Sequence, residues 1–413
     1  MQHLNKPFTL RLITFIAASA FLCYEMALQV ALAVVTDPLM ESAGMNASHL
    51  GWLGSCYFLS YTIMQIPAGL MFDRYSCRNV MFISAAICAL GAIIFSYSPN
   101  NLFLIFLARF LIGAGSAFPF VGLLIVASNC FKPEQFPFFV GITQILAALG
   151  ALIGSAPLAY LVQNNGWLEA MKIVGYAGII CTILMFFGLG ILNKKDVIVE
   201  TTVFKDIKAI IRNKKTWKIA AYAFFNWVPM IMLSSTWGPP FLVQKLNVST
   251  AEAAKIIEFL WIGLSLGSFT LGSIAKTPVR QKRCMMICAI IGIAVSSNFI
   301  YGNLPNGYYY IICTLIGIAS AGQILSFSMV KNINPENLVG TAIGFNNMSV
   351  VAGGIILQPI IGELMQIYWD GAVSNGLPFY SVSTFQHSLL IIPICYAFSF
   401  FSAIFLDDDA PRT

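Results

Sequence analysis

Gly69-Leu70-Met71-Phe72-Asp73-Arg74, with Arg78 four residues further on, ends one long apolar run just before another begins. Such a cluster of charge is unusual in this chain, where 58% of residues are hydrophobic and only 10% are charged. A soluble domain carries about 25% charged residues, and a protein-only core has no room for this much apolar surface, so the solvent of most of the chain is lipid. In hydrocarbon every backbone N–H and C=O must be satisfied within its own segment, which makes each apolar run a helix. The motif is then a short polar connection between two membrane-spanning helices, and the net charge of +6 belongs to such connections and points to no nucleic acid.

Working outward, the runs predict spans near 10–35, 50–72, 79–97, 101–129, 136–162 and 169–192, then 217–243, 252–275, 284–302, 307–330, 339–367 and 384–406. The fold class expected is therefore an all-α membrane protein with twelve transmembrane helices. The longest polar stretch, Asn193 to Thr216, separates the two sets, and its Phe204, Ile207, Ile210 and Ile211 spacing predicts an amphipathic helix on the membrane surface. Domains follow as 1–193, a linker at 194–216, and 217–413. Loops on one side hold a single basic residue, Lys245, whereas the other side holds Arg74, Arg78, Lys132, the linker lysines, Arg212, Lys276, Arg280, Lys282, Arg283 and Lys331. By the positive-inside rule both termini and the linker are cytoplasmic, in a multi-pass protein of the inner membrane.

The motif, its place between the second and third spans, and the division into six spans, a basic linker and six spans together resemble the major facilitator superfamily, with its G-x-L-x-D-R-x-x-x-R loop. The resemblance covers nearly the whole chain. It implies two six-helix pseudo-repeat bundles that alternate access around a midplane site. It gives Asp73 the role of closing the cytoplasmic side against the start of the eleventh span, with Arg74 and Arg78 anchoring the loop and pairing with Asp73. Gly69 is expected to let the second helix pack closely on a neighbour. The second half has an altered copy, Gly272-Ser273-Ile274-Ala275-Lys276 followed by Arg280, Lys282 and Arg283, with lysine where the first half has aspartate, so the two loops are not equivalent. More narrowly, Tyr61…Gln65-Ile66-Pro67, Phe118-Pro119-Phe120-Val121-Gly122 and Gly340-Thr341-Ala342-Ile343-Gly344 are similar to the phagosomal amino-acid transporters of intracellular gamma-proteobacteria.

Charge inside the apolar runs carries the functional reading. Arg109, in an R-x-x-x-G-x-G element with Gly113 and Gly115, lies about 12 Å below the outer end of its span, and Glu25 lies about 15 Å below the same surface. Each costs a few kcal/mol in lipid unless it meets a partner or water. Their matched depth predicts that both face the interior and interact, directly or through water or substrate, either as a permanent ion pair or as the coupling element, with Glu25 carrying the proton and Arg109 meeting a substrate carboxylate. The cavity-lining spans that the resemblance names are the first, fourth, seventh and tenth, which adds Tyr24, Gln29, Asn226, Trp227, Gln323 and Ser326 to the site; Gln144, Asn346 and Asn347 come behind them. Gly141, Gly150 and Gly154 read as sites of close helix crossing, and Trp237-Gly238-Pro239-Pro240 reads as a helix break.

The ten cysteines scatter through the spans as reduced packing residues, with no metal-ligand pattern. The three histidines, His3, His49 and His387, form no catalytic constellation, and no G-x-x-x-x-G-K-[ST] loop is present, so neither an enzyme nor an ATP-driven pump is expected, and no cofactor. The function expected is secondary active transport of a small polar organic solute, an amino acid by proton symport, by a monomer. An exporter or siderophore permease of the same fold, and a non-transporting sensor, are the alternatives.

Overall fold

The computed structural model describes residues 6–132, 135–192, 203–334, 338–374 and 377–406, and it is helical almost throughout. In chain order the first helices are α1 (Phe8–Ala43), α2 (Ala47–Arg74), α3 (Cys77–Tyr97), α4 (Leu102–Ser116), α5 (Pro119–Cys130), α6 (Phe136–Ile153), α7 (Ala156–Asn165) and α8 (Trp167–Gly188). Then come α9 (Val203–Arg212), α10 (Lys214–Met232), α11 (Gly238–Leu246), α12 (Thr250–Ile274), α13 (Pro278–Tyr301), α14 (Asn306–Ser320), α15 (Ile324–Ile333), α16 (Val339–Ile367), α17 (Val382–Leu389) and α18 (Ile391–Ile404). A two-residue hairpin, β1 (Val373–Ser374) against β2 (Leu377–Pro378), lies between α16 and α17.

Among the described residues eleven helical stretches are long and apolar enough to cross a membrane. α2 is not one of them, although its 28 residues reach about 42 Å at 1.5 Å per residue. The cause is composition: Ser55, Tyr57, Ser60, Tyr61, Thr62 and Gln65 lower its apolarity, and Ser55, Tyr57, Ser60 and Thr62 among them are buried in protein. Inside the helices hydroxyls turn back on their own backbone, as Ser296 does to the Gly292 carbonyl at 2.6 Å and Thr143 to Phe139 at 2.9 Å, since lipid offers no other acceptor.

Several expected spans are pieced from two helices. The fourth bends where Ser116 gives way to Pro119, which sits in the first turn of α5 and needs no N–H partner there. The sequence around Trp237 does not break the helix. It forms a π-turn over Leu233–Trp237 that leads straight into α11, with Pro239 in that helix's first turn. A proline cannot donate its i→i−4 bond, and widening the preceding turn absorbs the loss.

Contacts divide the chain into two compact units. The first comprises Met1–Met45 and Cys56–Glu200, the second Asn46–Ser55 and Thr201–Thr413. In the first, α1 packs on α5, α6 and α8 while α3 packs on α4 and α8. In the second, α10 packs on α16 and α18, α12 on α14, and α13 on α14 and α18. Of the expected amphipathic linker helix, α9 supplies the backbone, and its Ile210 is buried in the second unit's core beside residues such as Ile219, Tyr222 and Met329. Linker residues 193–202 and the side chains of Phe204 and Ile207 lie outside the described residues. Lys245, expected in a loop, lies in the last turn of α11 and donates to the Phe299 and Ile300 carbonyls at 3.1 and 2.6 Å, capping the C-terminal end of α13.

Candidate functional site

Among the described residues Glu25 and Arg109 are the only charged side chains that are buried, each 3% exposed, and both belong to the first unit. They do not form an ion pair; the one ion pair among the described residues is Lys172–Glu169. Tyr57 of α2 stands where a direct contact was one of the expected arrangements. Its hydroxyl donates to Glu25 Oε1 at 2.8 Å, and its ring lies under the Arg109 guanidinium, 4.9 Å from the ring centroid. A cation over an aromatic face gains about 1 kcal/mol, more when desolvated, and a hydrogen bond to a charged carboxylate is worth about 2 kcal/mol. One tyrosine therefore serves both charges, the acid through its edge and the base through its face.

The local sequence explains this placement. Glu25, Leu28 and Gln29 share one face of α1, spaced three and four residues apart. The Leu28 carbonyl accepts from Arg109 Nη1 at 3.1 Å, and Gln29 Oε1 lies 3.5 Å from the Tyr57 hydroxyl, whose single proton serves the shorter contact to Glu25. Gly113, one turn beyond Arg109 on the same face of α4, meets α2 directly: a Cβ there would lie 2.1 Å from the Tyr57 carbonyl oxygen and 2.3 Å from Ser60 Oγ. Only glycine allows α2 so close, and that approach brings the Tyr57 ring beneath Arg109. Arg109 Nε and Nη2 have no hydrogen-bond partner. Beside the guanidinium lies a cavity of about 10 Å³ with otherwise apolar walls, Leu28, Ala31, Leu32, Val35, Phe95, Ile112 and Met171.

Tyr24, expected at the same site, lies elsewhere. Its hydroxyl is buried against Gly178 of α8, where a Cβ would come within 2.3 Å of it, and it makes no hydrogen bond. Gly150 and Gly154 do mark close crossings, against the α1 backbone at Cys23 and Ala27, whereas Gly141 has nothing within 4 Å of a Cβ. Gly69 likewise has nothing within 4 Å of a Cβ, which corrects its expected packing role. Arg74 is exposed, and Arg78 stacks its guanidinium 4.0 Å from the Phe186 ring of α8. The side chain of Asp73 lies outside the described residues.

Among the described residues the second unit buries no charged side chain. Asn226 Nδ2 donates to the Ala319 carbonyl at 3.4 Å, and its Oδ1 is buried without a partner. Gln323 is buried in a 3₁₀ turn between α14 and α15, and its carbonyl accepts from Ser326 at 2.6 Å. Ser326 Oγ in turn accepts from Asn346 Nδ2 of α16 at 2.8 Å. Trp227 is half-buried, and Gln144 of the first unit is exposed. Sequence reasoning missed two further groups. Tyr57 is signalled only by its i,i+4 spacing with Tyr61 on the polar face of α2, where the two rings stack at 6.0 Å. Gln358 of α16 donates to Ser235 Oγ in the π-turn at 2.9 Å, leaving Gln358 Oε1, Thr236 Oγ1 and Trp237 Nε1 buried without partners.

Residues 14–358 match the model of the family described as the Major Facilitator Superfamily. An uncharacterized transporter of Bacillus subtilis, YybO, is 24% identical over 366 residues, 82% of this chain and 84% of that protein. The hexuronate transporter of the same organism is 22% identical over 355 residues, 81% of this chain and 83% of its own. Among solved structures, a bacterial homolog of the human lysosomal transporter Spinster, in an inward-facing and occupied conformation, superposes with a TM-score of 0.78 at 16% identity, covering 99% of this chain and 100% of that one.

Proposed function

Because the chain belongs to the Major Facilitator Superfamily, a family of membrane transporters and not of enzymes, we propose that it moves a small carboxylate-bearing solute by secondary active transport, with protons as the coupling ion. The observation that carries this reading is the buried Glu25–Tyr57–Arg109 constellation, in which acid and base share a tyrosine without neutralising each other directly. Buried charge of this kind in a membrane-embedded bundle is costly and marks functional sites. Arg109 has two unused donors in a fixed fork, the geometry that grips a carboxylate bidentately. Glu25 sits on the other side of the same tyrosine and is the group that accepts and releases the proton. Capture of a solute carboxylate by Arg109 withdraws positive charge from Tyr57 and Glu25, so solute and proton bind together.

A relative that carries hexuronate, a sugar acid, widens the substrate class beyond the amino acids to which the short permease-like stretches point; both present the carboxylate that Arg109 requires. In this reading α2 is the twelfth span, the two units are the pseudo-repeat bundles, and the basic connections, both termini and the Asp73 loop face the cytoplasm of a monomer in the inner membrane. Uptake of labelled glucuronate, galactonate and an amino-acid panel into proteoliposomes, with and without an inward proton gradient, tests it. Gradient-driven accumulation of a carboxylate solute, and not of its neutral amide, is expected; accumulation of the amide alone removes the role of Arg109.

A further inference from the structure

Where α12 gives way to α13, Ile274, Arg280, Arg283 and Cys284 line an open cavity of about 290 Å³. Arg280, Arg283 and Cys284 stand three and four residues apart on one face of α13, so both guanidinium groups reach the same space. The segment from Ala275 to Arg283 carries four basic residues and no acid. Lys282 is engaged elsewhere, donating to the Leu406 carbonyl at 2.7 Å. Arg280 and Arg283 are exposed, and neither forms an ion pair with a described residue. The apolar residues next to them are bare: Ile274, which lines the cavity, is 51% exposed, and Ile287, one turn beyond Arg283 on α13, is 55% exposed, as suits side chains that face lipid tails. The cavity therefore lies where a lipid-facing strip ends and unneutralised positive charge begins, at the depth of the headgroups.

We propose that this cavity is a binding site for an anionic membrane phospholipid, whose phosphate is held between Arg280 and Arg283 and whose acyl chain runs down the Ile274 and Ile287 strip. Guanidinium forks match phosphate oxygens, and basic pockets between helices on the cytoplasmic side are suited to anionic headgroups. A free phosphate would use the arginines but gain nothing from the apolar wall, which is why the lipid is favoured. The first half's loop differs at Arg78, which is stacked on Phe186, whereas Arg280 and Arg283 both line the cavity.

Cys284 in the cavity wall gives a local readout. The full chain is placed in nanodiscs of phosphatidylcholine alone or with phosphatidylglycerol, and alkylation of Cys284 by N-ethylmaleimide is followed by peptide mass spectrometry. The expected result is about fivefold slower alkylation in the phosphatidylglycerol discs, a ratio that falls to about one in Arg280→Gln/Arg283→Gln and survives in Arg280→Lys/Arg283→Lys, which keeps the charge. Equal ratios in the wild type and the glutamine variant overturn the proposal. So does equal protection by inorganic phosphate in phosphatidylcholine discs, which would make this a soluble-anion site. Protection that appears only once the chain is trimmed after Leu406, removing Asp407, Asp408 and Asp409, overturns it as well, since the acidic tail would then be the occupant.

Discussion

The two units solve the same problem, polar groups inside a lipid-embedded bundle, with opposite chemistry. The first buries an acid and a base, Glu25 and Arg109, bridged by Tyr57. Among the described residues the second buries no charge, and its polar interior is uncharged, with the Asn346–Ser326 hydrogen bond joining α16 to α15 and the Gln358–Ser235 hydrogen bond joining α16 to the π-turn after α10. A buried charge responds to an arriving ion by far more than a neutral amide does, because interactions between charges strengthen as the local dielectric falls. On the proposed function, the contrast places ion coupling in the first unit and leaves the second to neutral hydrogen bonding.

The strongest way to break this contrast is to force apart the helices that hold the charges. Gly113→Ala places a methyl 2.1 Å from the Tyr57 carbonyl, and the overpacking costs about 3 kcal/mol, seen as a clear drop in the thermal unfolding temperature of the detergent-solubilised protein with loss of transport. Next comes Tyr57→Phe, which keeps the ring under Arg109 and deletes only the hydroxyl that serves Glu25. About 2 kcal/mol of stabilisation of the carboxylate is lost, and the proton-to-solute ratio measured in proteoliposomes falls while the KM for solute stays near that of the wild type. Asn346→Ala removes one neutral hydrogen bond worth about 1 kcal/mol; the ranking of solutes in competition uptake changes, and uphill accumulation persists. Gly69→Ala lies at the bottom of the scale. Nothing stands within 4 Å of the new methyl, so melting temperature and expression stay within the error of the wild type, an effect below about 0.5 kcal/mol.

The segments themselves were legible in the sequence because burial in lipid imposes a length and a composition that no other solvent does. The run read as 339–367 is the helix Val339–Ile367, and the run read as 79–97 differs from Cys77–Tyr97 by two residues at one end. Glu25 and Arg109 stood out for the same reason, as charges that lipid does not tolerate. What the sequence hid is rotation. A span apolar on most faces does not declare which side turns inward, so Tyr24 is expected in the site because the first span lines the cavity in the resemblance, whereas its hydroxyl lies against Gly178. Tyr57 escaped notice because a tyrosine in a span is as often an interfacial or packing residue as a ligand, and only the close approach at Gly113 shows its part. The turn at Trp237 was misread because Gly238-Pro239-Pro240 signals a break in water, whereas in lipid an unpaired backbone is so costly that the helix widens instead.

The most direct measurement is transport by Glu25→Gln in proteoliposomes, with proton-driven uphill uptake and solute counterflow followed side by side for whichever carboxylate solute the wild type accumulates. Uphill uptake is expected to disappear while counterflow continues, since the variant still binds solute at Arg109 but lacks the carboxylate beside Tyr57 that carries the proton. Full uphill accumulation by Glu25→Gln would contradict it, and would leave the Glu25–Tyr57–Arg109 constellation as a structural brace.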